Sequence, residues 1–187
     1  PPGVGKTVIA NIMAELYKNL NVLPKGHIVK VSRPDLIGKY LGHTAHKTRE
    51  AIDKAKGGIL FIDEAYSLVD KQGKDSFAKE CMDTLVQWLS EECSDTMCIV
   101  AGYKEDMEEH FFRMNAGLER RFPFKFYING YKYDELFEIF CDKMIENKWN
   151  VETKDKDEFL KVFKDEYKKF KNFGGDIENL VYRYGLV

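Results

Sequence analysis

The chain begins PPGVGKT, and this glycine-lysine-threonine loop restricts the possible folds more than any other part of the sequence. The glycines let backbone N–H groups approach a phosphate closely, and Lys6 has the length to reach its outer oxygens. The hydroxyl of Thr7 is suited to Mg²⁺, and the helical pattern that follows would add the positive end of its dipole. The residues predicted to bind a nucleotide phosphate are Pro2, Gly3, Val4, Gly5, Lys6, Thr7 and Val8.

The loop as printed is shorter than the full motif. A complete phosphate loop reads GxxxxGK[ST], and its first glycine would precede Pro1, as would the strand that normally leads into the loop. That strand is buried on both faces of a parallel sheet. We therefore expect the chain to be an N-terminally truncated piece whose sheet lacks its first strand.

A second motif, GGILFIDEAY, places two acids directly after an apolar run. The run Ile59–Ile62 predicts a buried strand, so Asp63 and Glu64 would lie at its carboxyl end, where ligands bind in open α/β sheets. Such a strand end is common by chance, and the phosphate loop makes the assignment specific. Asp63 and Thr7 are predicted to hold Mg²⁺, and Glu64 is predicted to polarise the attacking water in ATP hydrolysis.

Apolar runs of strand length alternate with helical patterns in the first two thirds of the chain, which predicts a parallel α/β sheet. The predicted strands are His27–Val31, Gly58–Asp63, Met97–Gly102 and Phe124–Ile128, and the helical patterns are Val8–Leu20, Thr44–Lys56, Ser76–Glu92 and Met107–Met114. After Gly130 the patterns are helical without a strand between them: Tyr133–Lys148, Asp155–Lys171 and Asp176–Tyr184. We predict a nucleotide-binding α/β subdomain at 1–130 and a small all-helical lid subdomain at 131–187.

Composition sets broad limits on partners. The formal charge of −2 arises from 29 basic and 31 acidic residues, so the overall charge gives no reason to expect nucleic acid or an anionic membrane. The four cysteines lack metal-binding spacing, which favours reduced thiols. No apolar run approaches the roughly 20 residues of a membrane span. We expect a cytoplasmic protein that does not bind membranes.

With these motifs in place, the chain resembles the AAA+ ATPases, which have the P-loop NTPase fold. The segments GHTAHKT and GGILFIDEAYSL are most similar to the branch that contains CbbX, the red-type Rubisco activase, CfxQ and SpoVK. The resemblance extends over nearly the whole chain. It implies an ATPase that uses ATP and Mg²⁺, assembles as a homo-oligomeric ring, usually a hexamer, and pulls on a protein substrate. No residue identifies that substrate or shows whether it is Rubisco.

The resemblance also implies a substrate-gripping loop. Lys39, Tyr40, Leu41 and Gly42 match the aromatic-hydrophobic-glycine pore loop of the family. An aromatic ring suits this task because it offers a large contact area with little side-chain entropy to lose. The alternative is a buried tyrosine in an ordinary loop. Lys71–Asp75 stands where a second pore loop would come and is equally compatible with a plain surface loop.

An arginine doublet precedes the predicted strand Phe124–Ile128. In AAA+ proteins an arginine at this place reaches the ATP of the neighbouring subunit, where its planar fork stabilises charge on the transferred phosphate. Arg121 matches that position better than Arg120, and either side chain is also compatible with surface salt bridges. Arg121 is therefore predicted to be catalytic across the subunit boundary.

Two positions depart from the better-known family pattern. Tyr103 follows the predicted third strand, where the usual sensor is Asn, Ser or Thr, and its hydroxyl is predicted to position water. Gly175 occupies the place where many AAA+ proteins carry an arginine that senses the ATP γ-phosphate from the lid. The resemblance therefore implies weaker γ-phosphate sensing from the lid or its replacement by another group.

Two other functions are compatible with the nucleotide motifs. An AAA+ loader or helicase-type motor would act on nucleic acid, and the near-neutral charge and the YLG loop argue against it. A nucleotide-binding assembly subunit without turnover would require Glu64 or Arg121 to be misplaced. Lys6, Asp63 and Glu64 are all present, so this reading is the weaker one.

Overall fold

The structure is a computed structural model that describes residues 2–40, 42–69, 75–91, 95–115, 117–149 and 156–184. The chain divides into two compact units, one formed by Thr7–Phe126 and the other by Pro1–Lys6 together with Tyr127–Val187.

A parallel sheet forms the centre of the first unit. Its described strands are β1 (Ile28–Val31), β2 (Ile59–Ile62) and β3 (Met97–Val100), arranged in the order β1-β2-β3. Because the strands are parallel, their carboxyl ends meet at one edge, where Ile62 lies beside Val31 and Val100. The predicted α/β fold class is confirmed, and three of the four predicted strands are present.

Strand β2 is the best-buried element of the sheet because helices cover both of its faces. The face with Ile59 and Phe61 packs on α1 (Lys6–Asn19). The opposite face packs on α3 (His43–Ala55) and α4 (Ser76–Glu91). A strand enclosed in this way reads as an uninterrupted apolar run, which is why ILFI predicts it.

Several short elements connect the strands and helices. They are α2 (Arg33–Leu36), a 3₁₀ turn (Ala65–Leu68), α5 (Lys104–Asp106), a π-helical turn (Met107–Phe111) and α6 (Leu118–Arg121). Of these short elements, the sequence predicts only the π-helical turn, which lies within the helical pattern Met107–Met114. Elements of this length bury little area of their own, so contacts with the rest of the fold determine them.

The predicted strand Phe124–Ile128 is wrong. None of these residues is in a strand, and the side chains of Phe124 and Phe126 are both 80% exposed. A strand requires a hydrogen-bonding neighbour, and in the part of the chain that the structure describes β3 pairs with β2 alone. Within the described residues no strand pairs with Phe124–Ile128, so this segment lies outside the sheet.

Helix α1 is apolar on two sides. Ala10 and Ala14 are buried against the sheet. Val8, Ile12 and Leu16, spaced four residues apart, are exposed. The predicted packing of this helix on the sheet is therefore present on its alanine side.

The second unit is helical over most of its described length. It contains α7 (Tyr133–Glu146), α8 (Lys156–Asp165), a 3₁₀ turn (Tyr167–Lys169) and α9 (Gly174–Tyr184). Its core is rich in aromatic rings and includes Leu136, Phe140, Phe163 and Ile177. Within the described ranges, no helix has both the length and the hydropathy to cross a bilayer.

Candidate functional site

Asp63 and Glu64, here called the acidic turn, follow β2 at the carboxyl edge of the sheet. The backbone N–H of Asp63 donates to the Val31 carbonyl at 2.9 Å. Glu64 then adopts φ 50° and ψ 46°, a left-handed conformation that is strained for a residue with a side chain. Its N–H donates to Oδ1 of Asp63 at 3.1 Å. Strain of this kind is concentrated at functional sites.

The neighbouring strand end holds the turn in place. The N–H of Ala65 donates to the carbonyl of Ala101 at 2.9 Å, and the N–H of Ala101 donates to the carbonyl of Ile62 at 2.9 Å. These bonds lock the residues on either side of Glu64. The left-handed conformation is therefore imposed by the sheet edge.

The two predicted magnesium ligands converge on one cation. The Nζ atom of Lys30 lies 3.0 Å from Oδ2 of Asp63 and 3.4 Å from the hydroxyl oxygen of Thr7. A carboxylate and a hydroxyl are the hard oxygen ligands that Mg²⁺ accepts. The lysine ammonium acts as a stand-in cation between them, so these residues fit a magnesium site.

Residues 2–6 of the phosphate loop belong to the second unit and contact its helical part. Gly3 has φ 66°, and a Cβ atom there would lie 1.9 Å from the Asn172 carbonyl oxygen, so no other residue fits. The Gly3 carbonyl accepts from the N–H of Gly174 at 3.0 Å. The hydroxyl of Tyr131 donates to the Val4 carbonyl at 3.1 Å.

The remaining predicted phosphate ligands lie close by in sequence. Gly5 has φ 79°, Lys6 begins α1, and Val8 is 59% exposed on that helix. The structure thus places Lys6 at a helix N-terminus, as an anion site requires. Its assignment as a phosphate ligand remains a prediction.

Tyr103 lies next to the segment that follows the acidic turn. Its ring centroid is 5.8 Å from that of Tyr66. The preceding residue, Gly102, has no room for a side chain, because a Cβ atom would lie 2.8 Å from both Met107 and Tyr66. The chain therefore brings Tyr103 close to the acidic turn, and its predicted role with water stays a prediction.

The two arginines of the doublet have different surroundings. Nε and Nη2 of Arg121 donate to the hydroxyl of Ser90 in α4, the first at 2.9 Å, and Nη1 donates to the Gly117 carbonyl at 2.9 Å. Arg120 is exposed and has no hydrogen bond or ion pair within the described ranges. Arg121 is thus fixed in direction, whereas Arg120 extends into solvent.

The loop that carries Tyr40 is exposed at its tip and anchored at its base. Tyr40 is 68% exposed, so the alternative of a buried tyrosine is wrong. Its carbonyl accepts from the N–H of His43 at 3.1 Å, and the N–H of Gly38 donates to the hydroxyl of Thr44 at 3.0 Å. Leu41 and residues 71–74 of the predicted second loop lie outside the described residues.

Sequence reasoning missed three residues at or near this site. Lys30 is the charged residue in the strand IVKV, and that interruption of an apolar run is a signal that was readable. Ser90, which orients Arg121, carries no such signal in the sequence. Arg33 stands beside Pro34, between the predicted strand His27–Val31 and the helical pattern Thr44–Lys56, and its partners are 34 and 42 residues away in sequence.

Comparison with known proteins adds to this geometry. Residues 1–129 match the family described as "ATPase family associated with various cellular activities (AAA)". A cfxQ-like protein of Acanthamoeba polyphaga mimivirus is 42% identical over 182 residues, which are 97% of this chain and 45% of that protein. Stage V sporulation protein K of Bacillus subtilis is 45% identical over 147 residues, 79% of this chain and 45% of that protein.

Two further similarities cover the same region. Protein CbbX of Cereibacter sphaeroides is 43% identical over 138 residues, 74% of this chain and 44% of that protein. The crystal structure of the FIGL-1 AAA domain in complex with ADP superposes with a TM-score of 0.61 at 18% identity, covering 87% of this chain and 52% of that one. The chain thus spans about half the length of these relatives.

Proposed function

The chain belongs to the ATPase family associated with various cellular activities (AAA), and from this premise we propose that it hydrolyses ATP to remodel or thread a protein substrate. The observation that carries the proposal is the convergence of Asp63 and Thr7 on one cation position, next to the strained Glu64. A plain structural turn would not need two metal-type ligands beside a left-handed glutamate.

Each group in the site has a distinct task in this proposal. Lys6 and the N–H groups of the phosphate loop bind the phosphates of ATP. Asp63 and Thr7 would hold Mg²⁺, which when bound neutralises charge on the phosphate oxygens. Glu64 orients and polarises the attacking water, and the bonded turn holds its backbone in one conformation so that little reorganisation is needed.

We further propose a ring in which Arg121 acts on the ATP of a neighbouring subunit. Family members are typically oligomeric, and a hexamer is the expected number. Ser90 and Gly117 hold the Arg121 guanidinium in a fixed direction, which suits a group that must meet a partner's phosphate. Arg120 is the alternative because it is exposed.

Tyr40 is the residue that we propose grips the substrate. Its exposed ring stands on an anchored loop, so it presents contact area without requiring a particular sequence. A protein substrate in the cytoplasm fits better than nucleic acid, since the formal charge is −2 and binding to nucleic acid depends on basic surface.

The test uses the full-length protein with two generic probes, unfolded casein and a single-stranded DNA oligonucleotide. We expect casein to stimulate ATP turnover and the oligonucleotide to leave it unchanged. Tyr40→Ala should remove the casein-stimulated part and keep basal turnover, while Tyr40→Phe should retain both. Stimulation by DNA that survives Tyr40→Ala would support the nucleic-acid motor instead.

Mixing two inactive variants tests action between subunits. An Arg121→Ala subunit keeps its own Glu64, and a Glu64→Gln subunit keeps its own Arg121, so mixed rings contain some complete interfaces. ATPase activity should partly return on mixing. Arg120→Ala serves as the matched control and should remain active alone. Co-assembled mixtures without recovered activity would exclude Arg121 as a residue that acts in trans.

A further inference from the structure

One arginine outside the nucleotide site joins three separate elements of the first unit. Arg33 is the first residue of α2, and its Nη1 donates to the Ser67 carbonyl at 2.6 Å. Its Nη2 pairs with Oδ2 of Asp75 at 2.5 Å. Ser67 belongs to the 3₁₀ turn that begins directly after Glu64, and Asp75 precedes α4. The Arg33 side chain is 34% exposed, so water screens these contacts only in part.

Asp75 is itself firmly held. Its Oδ1 accepts from the backbone N–H groups of Phe77 at 2.9 Å and Ala78 at 3.1 Å, which caps the start of α4. Burial disfavours its charge, but the bonds from Ala78, Arg33 and Phe77 outweigh that effect and lower the pKa of Asp75. The carboxylate therefore stays ionised near neutral pH, and both of its oxygens are in use.

Arg33 is also connected to the loop of Tyr40, because helix α2, which it begins, precedes that loop in the chain. Helix α2 is fixed to α3, because Nζ of Lys47 donates to the Pro34 carbonyl at 2.9 Å and the hydroxyl of Thr48 donates to the Leu36 carbonyl at 3.2 Å. These helices form the two sides of the stem that holds Tyr40. A displacement of α2 would therefore move the base of that loop.

We propose that Arg33 is a positioning residue that transmits changes at the acidic turn to the loop of Tyr40. The proposal rests on the proposed function, since it takes Glu64 to face ATP and Tyr40 to face the substrate. A shift of the 3₁₀ turn moves the Ser67 carbonyl, and the short bond to Arg33 carries this movement into α2. The bond to Asp75 makes α4 follow as well.

The chemistry of this link requires arginine. Its planar guanidinium presents several donors in a fixed fork and so binds a carbonyl and a carboxylate at once. A lysine ammonium is a single point on a flexible stem and would satisfy one of these partners at the expense of the other. Arg33→Lys keeps the charge and should still break the link.

The experiment measures hydrogen exchange in residues 37–43 of the full-length protein, with and without ATP, in a Glu64→Gln background that slows turnover. We expect ATP to change exchange in this segment of the parent protein. Arg33→Lys should reduce the change at least threefold while the ATP dissociation constant stays within twofold. Asp75→Asn should reduce it less, because the bond from Arg33 to Ser67 remains.

Arg49→Lys is the matched control. Arg49 donates to Gln87 at 3.3 Å and so also connects α3 with α4. The Arg49→Lys variant should show the same ATP-dependent change in hydrogen exchange at residues 37–43 as the parent protein. An equal loss in the Arg33 and Arg49 variants would overturn the proposal, because any contact between helices would then suffice.

The remaining outcomes separate the two proposals. A parent-like change in both Arg33→Lys and Asp75→Asn overturns the link, as does a parent in which ATP changes nothing at 37–43. These results leave the ATPase itself standing if the wild-type protein still hydrolyses ATP and responds to casein. Absence of hydrolysis in the wild-type protein contradicts the proposed function instead.

Discussion

The acidic turn and the phosphate loop are stabilised in different ways. The turn continues from β2, whose residues are at most 1% exposed, and backbone bonds from two neighbouring strand ends fix it. Residues 2–6 of the phosphate loop carry positive φ angles at Gly3 and Gly5, and the bonds described above reach them from Gly174 and Tyr131. One region is supported by a sheet and the other by individual hydrogen bonds.

The difference separates two physical requirements. Groups that act on the reacting atoms must keep their geometry, so a buried sheet edge is a suitable support. A loop that wraps a phosphate must let its N–H groups adjust when the ligand enters, so a few individually weak bonds suit it. Changes at the turn should therefore affect chemistry or stability strongly. Loss of a hydrogen bond that supports the loop should have a moderate effect on affinity, whereas loss of the phosphate-binding Lys6 should have a large one.

The largest expected effect is on turnover at the acidic turn. Glu64→Gln should lower ATP turnover by about 10²–10⁴-fold, the range for loss of a positioned acid–base group, with ATP affinity within twofold. Lys6→Ala should instead abolish ATP binding, because it removes a phosphate contact. Turnover assays and equilibrium nucleotide titration measure the two effects. An equal loss of affinity in both variants would contradict these roles.

The two regions should also differ in how much a substitution lowers the free energy of unfolding. Ile62 is 1% exposed at the end of β2, and Ile62→Ala should lower the free energy of unfolding by about 2–5 kcal/mol. Val8→Ala, next to the phosphate loop and 59% exposed, should stay within about 0.5 kcal/mol. Urea unfolding of the full-length protein measures both. Similar losses in the two variants would show that the sheet does not give the turn its extra rigidity.

A single-atom change tests the phosphate loop. Tyr131→Phe removes the bond to the Val4 carbonyl, worth about 0.5–1.5 kcal/mol, and should weaken ATP binding by about two- to tenfold. Turnover of bound ATP should not change, because the acidic turn is untouched. Tyr182→Phe, at an exposed tyrosine, is the control and should bind ATP normally. Unaltered binding in Tyr131→Phe would show that this bond does not support the loop.

The smallest expected effect concerns the cation position. Lys30→Met removes an ammonium that competes with Mg²⁺ for Asp63 and Thr7, so half-saturation should need less Mg²⁺. Exposed ion pairs of this type are weak, and the shift should be about two- to fivefold. Nucleotide binding measured against Mg²⁺ concentration gives the value. Lys54→Met removes the same charge from a pair with Glu50 and should have no effect. A higher Mg²⁺ requirement in Lys30→Met would mean that the ammonium assists the metal.

The hydrophobic pattern of the sequence was sufficient to predict the strand β2 and the longer helices. The run ILFI has no polar residue, and its two acids stop it at the edge of the sheet, so β2 and the acidic turn were predicted within one residue. The longer helices, α3 and α4 among them, were predicted closely for the same reason, since an apolar stripe at helical spacing requires a helix. The fold class followed from the alternation of these patterns.

The features that were predicted wrongly or missed depend on contacts between elements that are distant in sequence. Phe124–Ile128 has a strand composition, but a strand also needs a neighbour, which composition cannot supply. The contact of Lys30 with Asp63 depends on the register that pairs β1 with β2, and the contact of Arg33 with Asp75 spans 42 residues. Such contacts arise when distant elements pack together, and the local pattern of a sequence does not specify which distant residues meet.

The two glycines that begin α9 differ in what surrounds them. A side chain at position 174 would meet the Gly3 carbonyl oxygen at 2.8 Å, whereas one at position 175 would meet nothing closer than the Asn172 Cβ at 3.8 Å. Every glycine codon lies a single base change from an arginine codon. Position 175 therefore has room for a Cβ atom, and a single base change would place an arginine there, which makes Gly175 a direct site for engineering.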